Sequence, residues 1–248
     1  MLAAADDPLS SLCWRACLDV SLNPEAVAAM PVEEFMASVR AALPGWGGKR
    51  PWRPIVAAVR AAAHDPGGIG WERGAALERA ALVLEDWRLG LAELAELERR
   101  MVAILDGLGL SGLVTTIPAL SAVGAAAILA ETGDPARFDC ARAWVKHAGA
   151  CPRDNESGNS KGQSRVSRRG RPLLRTAAWR ASWPLIIHNE VFAARYAHLT
   201  TREGNRLNDG QARIAVVASL LRQLYVVVTR RVAWDPALAA GKEVEPAA

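Results

Sequence analysis

The sequence predicts an all-α protein, and two observations carry that prediction. Through the first part of the chain, short apolar stretches are separated by hard proline and glycine breaks, the pattern of small helices joined by tight turns. A longer stretch, Trp71 to about Asp106, then runs without proline and repeats its apolar residues every three or four positions. With 248 residues, 51% of them hydrophobic, the chain is large and apolar enough to bury one or two cores, which excludes a disordered polypeptide.

Leu9 to Val20 is the first short apolar stretch. Asn23-Pro24-Glu25 then starts a helix with proline at its first position, where the missing N–H costs nothing. Helices are predicted over Pro24–Met30 and Pro31–Leu43. Pro44-Gly45-Trp46-Gly47-Gly48-Lys49-Arg50-Pro51 breaks the chain, Pro54–His64 returns to helix, and Asp65-Pro66-Gly67-Gly68 breaks it again. Trp46 and Trp52 flank a basic dipeptide, an arrangement able to stack on bases. Isolated tryptophans more often anchor cores, and packing is the expected role.

In the long stretch, Leu77, Ala80, Leu84, Trp87, Leu91, Leu94 and Met101 form a seam, while Glu78, Glu85, Glu93, Glu96, Arg99 and Arg100 take other faces. A coiled-coil-type helix of this length needs a partner helix from the same chain or from another, and a homo-oligomer is expected. Gly90 weakens the helix by about 1 kcal/mol relative to alanine, a small loss over this length.

Gly107 to Ala130 carries no charge and is long enough to span a bilayer. Its glycines, Pro118 and hydroxyl residues instead punctuate a turn between two short helices, so no membrane span is expected. Short helix, hairpin, short helix is the pattern of a helix-hairpin-helix element, which offers backbone N–H groups to a phosphate. Gly133-Asp134-Pro135 turns the chain, and Phe138 to Gly149 is predicted helical. Cys13, Cys17, Cys140 and Cys151 contain no CxxC pair, and the N-terminus lacks the character of an export signal; a reducing cytoplasm is expected. Cys140, His147 and Cys151 supply three irregularly spaced ligands, too few for a zinc centre, and no metal site is expected.

Charge is concentrated in one segment. Between Arg137 and Arg180 stand eleven Lys/Arg and three acids, an excess of eight in a chain whose net charge is +4, so the remainder is net negative. A polar, glycine-punctuated run, 151–171, lies at its centre. Such concentration is the footprint of a phosphate-backbone binder, and Arg153, Lys161, Arg165, Arg168, Arg169, Arg171 and Arg175 are the candidate contacts. A solvated surface loop has the same composition and stands as the alternative.

Thr116-Ile117-Pro118, the run Ala127 to Phe138, Ala148-Gly149, Pro152-Arg153, Glu156-Ser157-Gly158, Ser167-Arg168-Arg169-Gly170, Leu174-Arg175, His188-Asn189 and Trp234-Asp235-Pro236 follow one another in an order that resembles the C-terminal half of the IS110 (IS116, IS902) insertion-sequence transposases. The resemblance implies a two-part enzyme. An N-terminal resolvase-like domain holds a divalent metal, expected to be Mg, on four carboxylates, a C-terminal domain contributes a catalytic serine, and a structured bridge RNA guides recombination of DNA. The family's Ser-Gly motif falls on Ser157-Gly158, making Ser157 the implied nucleophile. A serine attacking a phosphodiester needs exposure and flanking cations, which Arg153, Lys161 and Arg165 supply. Ser160, Ser164 and Ser167 are chemically equivalent rivals that the motif alone sets aside.

Two departures shape the expected function. No four-carboxylate segment precedes Leu9, so the chain reads as the nucleic-acid-binding, serine-bearing part of a transposase, truncated or degenerate, binding DNA without cleaving it alone. Ala119 and Ser121 stand where the hairpin turn of the family carries glycines, and an alanine forced to φ > 0 strains the turn. The expected organisation is short helices over 1–70, the long helix over 71–108, the serine-bearing helical domain over 109–238 and a tail over 239–248. A non-catalytic nucleic-acid-binding module and a helical oligomerisation protein remain the alternative readings.

Overall fold

The computed structural model describes residues 11–43, 50–65, 73–153, 156–157, 160–161, 165–167 and 169–240. Among these the fold is all-α, interrupted only by two minimal antiparallel ladders in the basic segment. The described residues form two compact units that divide between Glu93 and Leu94, inside the long helix.

The first unit holds α1 (Leu12–Val20), α2 (Pro24–Ala29), α3 (Val32–Ala42), α4 (Arg53–Ala63) and the first half of α5 (Arg73–Gly107). Local chemistry starts the first two helices. The Ser11 hydroxyl accepts from Trp14 N, and the Asn23 side chain accepts from Glu25 N ahead of Pro24, satisfying N–H groups that a helix start leaves unpaired. Phe35, Val39, Cys17, Ile55 and Val56 fill the core. Burial pushes the Cys17 thiol up to about 12, with Cys13 adding to the rise, so this sulfur stays protonated and inert at neutral pH. Trp52 corrects the packing expectation: its side chain is 54% exposed, and its backbone N–H donates to Cys13 Sγ instead. Trp46 lies outside the described residues.

The second unit contains the end of α5, α6 (Ser111–Val114), α7 (Ala122–Thr132), a 3-10 turn (Pro135–Arg137), α8 (Ala141–His147), α9 (Pro172–His188), α10 (Glu190–Thr201), α11 (Asp209–Arg230) and α12 (Pro236–Ala239). The uncharged stretch from Gly107 therefore breaks into two helices and a turn. By length and composition α11 would cross a membrane, but over half of its most apolar window is buried, because it is the central helix against which α8, α9 and α10 pack. Asn208 and Gln211 close a capping box at its start.

Several residues that carry the family resemblance prove to be joints of this core. Buried Asn189 donates from Nδ2 to the Pro118 carbonyl, 3.0 Å, while its Oδ1 accepts from Val191 and Phe192 N and starts α10. Thr116 Oγ1 accepts from Trp234 N, 2.9 Å, and Trp234 Nε1 donates to Gln223 Oε1, 2.6 Å. The turn after α6 is thus held from two distant points in sequence. Ala119, inside it, sits at φ +70, the left-handed conformation expected from its place in the turn.

Candidate nucleic-acid interface

The basic segment is built on the C-terminus of α8. There Gly149 takes φ +66, Ala150 N donates to Val145 O and Gly149 N to Lys146 O, the paired bonds of a Schellman motif that turn the chain out of the helix. Beyond Cys151, β1 (Pro152–Arg153) pairs antiparallel with β4 (Arg165–Val166), and Ser167 N donates to Cys151 O at 2.9 Å. Inside this pair, β2 (Glu156–Ser157) meets β3 (Ser160–Lys161) with Ser157 opposite Ser160.

The returning strand is locked at Gly170. A Cβ at this position would lie 2.3 Å from the His147 carbonyl oxygen and 2.6 Å from Gly149 N, so only glycine lets the two backbones approach. Arg171 N then donates to His147 O at 2.8 Å, and Pro172 starts α9. Two guanidiniums fasten the same joint. Arg171 Nε meets Glu131 Oε2 at 3.1 Å, and Arg175 Nη1 donates to the Ala148 carbonyl at 3.0 Å, where the negative end of the α8 dipole favours a cation.

His147 completes the base. Arg137 Nη2 lies 3.3 Å from its Nε2, the Phe138 ring is 5.2 Å away, and Arg137 stacks over Phe138 at 4.8 Å. Burial lowers the His147 pKa, and the charges of Arg137 and Arg171 lower it further. The neutral imidazole accepts from Arg137 on Nε2, which leaves Nδ1 carrying the proton.

The candidate contacts divide accordingly. Arg169 is exposed; Arg171 and Arg175 are engaged in holding the hairpin base. For Arg153, Ser157, Lys161 and Arg165 the structure describes the backbone alone, which places them on the ladders; Arg168 lies outside the described residues. Sequence reading missed a second basic group, because its members are far apart in the chain. Arg222 of α11 has its pKa lowered by burial and then by Arg195 of α10 and Arg142 of α8, three cations brought together from three helices. Their convergence follows from α8 and α10 both packing on α11. Among the described residues no group of three or more His, Cys, Asp or Glu is placed to hold a metal ion.

A comparison with curated proteins finds no match. A scan of family models gives one, described as the transposase IS116/IS110/IS902 family, over residues 111–197. That span runs from the first residue of α6 into α10 and includes the whole hairpin and its base. Residues 111–197 of this chain, about a third of its length, are thus similar to the transposase IS116/IS110/IS902 family.

Proposed function

We propose that the chain is the DNA-binding, serine-bearing part of an insertion-sequence transposase. The observation that carries this reading is a basic segment of two short antiparallel ladders, with Ser157 on the inner one, fastened to a packed helical unit inside the segment that matches the family. Duplex DNA and a structured guide RNA are the proposed partners, and a second copy of the chain, through α5, is the proposed oligomer. The proposed chemistry is attack of Ser157 Oγ on a phosphodiester phosphorus: the O–P bond forms, the bond to one deoxyribose oxygen breaks, and the hydroxyl proton passes through water to that leaving oxygen. Hairpin cations stabilise the charge that develops on the phosphoryl oxygens. The described residues provide no metal-binding group, so no step is assigned to a metal held by them.

Binding is tested by fluorescence anisotropy across a salt series. Non-specific duplex DNA is expected to bind at micromolar or tighter dissociation constant at low salt, weakening steeply as salt rises. Replacing Arg165, Arg168 and Arg169 with alanine reduces both affinity and salt slope; unchanged values would remove the interface. Catalysis is tested by searching for a covalent protein–DNA adduct. The chain alone is expected to form none, and an adduct lost in Ser157→Ala would show that it cleaves unaided. The alternative reading, a binding module without chemistry, predicts no adduct even with an intact family member and its RNA present.

A further inference from the structure

Trp179 and Trp183 stand one turn apart on α9, and Arg213 of α11 lies over both. Its guanidinium carbon is 3.9 Å from the centroid of the Trp179 ring and 3.5 Å from that of Trp183. Arg213 is only 5% exposed, and its Nε and Nη2 are buried without a hydrogen-bond acceptor among the described residues. Asp209, one turn earlier on α11, accepts a hydrogen bond from the Tyr196 hydroxyl and acts on Arg213 through its charge. Two buried guanidinium nitrogens without an acceptor are costly, and the indole faces hold this side chain in place.

Trp183, unlike Arg213, is 50% exposed. One ring face lies against the guanidinium, and half of the residue is open to solvent. It lies on a helix face that also exposes Leu173, Thr176, Arg180 and Ile187, and α9 contains no Asp or Glu. Pro184 follows Trp183 directly and has no amide hydrogen, so the carbonyl of Arg180 lacks the helix donor it would otherwise meet. An exposed indole, an exposed cation and a spare backbone acceptor therefore occupy one turn.

We propose that Trp183 is a stacking platform for an unpaired base of a single-stranded nucleic acid, held in register by Arg213 behind it. An indole face offers area to any base, and Arg180 lies within a turn for the adjoining phosphate. The guanidinium on the inner face draws π density inward, which reduces the repulsion between the outer face and the π cloud of a base. Charge decides the class of occupant. A partner protein helix covering this face would bury Arg180 unless it brought an acid, whereas a nucleic-acid strand brings a phosphate with every base. Duplex DNA presents base edges only, so its bases do not reach the ring face. This inference rests on the nucleic-acid reading above and specifies where an unpaired strand is gripped.

The test uses the full chain, fluorescently labelled oligothymidine and a blunt DNA duplex, read by anisotropy at low salt, with circular dichroism to verify the fold of each variant. Trp183→Leu is expected to weaken oligothymidine binding about tenfold and leave duplex binding unchanged. Trp183→Phe retains most of the affinity, and ultraviolet crosslinking of a bromouracil-substituted strand maps to Trp183. Unchanged oligothymidine binding in Trp183→Leu, or equal losses for strand and duplex, overturns the platform. If that occurs while Arg169→Ala still weakens binding to both probes, the nucleic-acid interface stands without the platform. If the unmodified chain binds neither probe, both readings fall.

Discussion

At the scale of single residues, His147 links the electrostatics of the hairpin base to pH. Its folded pKa lies below the ordinary value of about 6.5 because the imidazole is partly buried and faces Arg137 and Arg171. The folded chain therefore binds the proton more weakly than the unfolded chain does. The stability contributed by the neutral ring is complete above about pH 6.5 and is lost as pH falls through the depressed folded value. A proton-NMR titration is expected to place the His147 midpoint below 6.5, and Arg137→Ala should raise it; a midpoint at or above the ordinary value would mean that the two arginines do not act on the ring. None of this is visible in the sequence, where Arg137, His147 and Arg171 are separated by helix and hairpin. Ala119 is the opposite case. Its place in a turn that calls for glycine already implies φ > 0, and the backbone adopts it.

Elements repeat the division between local and long-range information. The helix start at Asn23 was legible because caps and proline act over three or four residues; the starts at Ser11 and Pro172 use the same local chemistry but were not read from the sequence. The predicted helix at Phe138 begins later, at Ala141, since Asp134 caps a separate 3-10 turn and the Phe138 carbonyl accepts from Tyr225 OH, a partner 87 positions away. The basic loop was legible as charge, but its pairing register was not, because a two-residue ladder is fixed by the anchor at its base and not by a pattern along its strands. That anchor is Gly170. Gly170→Ala forces a methyl carbon against the His147 carbonyl and Gly149 N at a φ of +149, a strain of about 2 to 4 kcal/mol. Thermal unfolding should show the loss, and duplex binding should weaken although no charge has changed. Wild-type stability and affinity in this variant would show that the hairpin base is not what orders the interface.

For the whole molecule the question is what covers α5. The spacing led to one seam from Leu77 to Met101, yet the two units use the helix differently. In the first, Leu84 is buried and Trp87 lies beneath the Arg15 guanidinium, with Asp19 paired to Arg88 and Glu25 to Arg73. In the second, Leu105 enters the core, but Leu94, Leu97, Ile104 and Leu108 are each more than half exposed. Together with Met101 these four follow the 3-4-3-4 spacing of a coiled-coil seam. Beside them runs an apolar groove of about 560 Å³ lined by Leu110, Leu129 and Val228. An unpartnered seam of this length fits a second copy of the same helix, as the oligomer proposed above requires. A charge at Trp87 would disturb the first unit as well as any dimer, so the informative positions are Leu97 and Ile104, which take no part in either core. Leu97→Glu combined with Ile104→Glu is expected to leave helicity intact and convert a dimer to a monomer in sedimentation equilibrium, because two buried, unpaired carboxylates on each chain cost more than the seam returns. A monomer before substitution would assign the seam to a different partner, and a dimer that survived both glutamates would place the interface elsewhere.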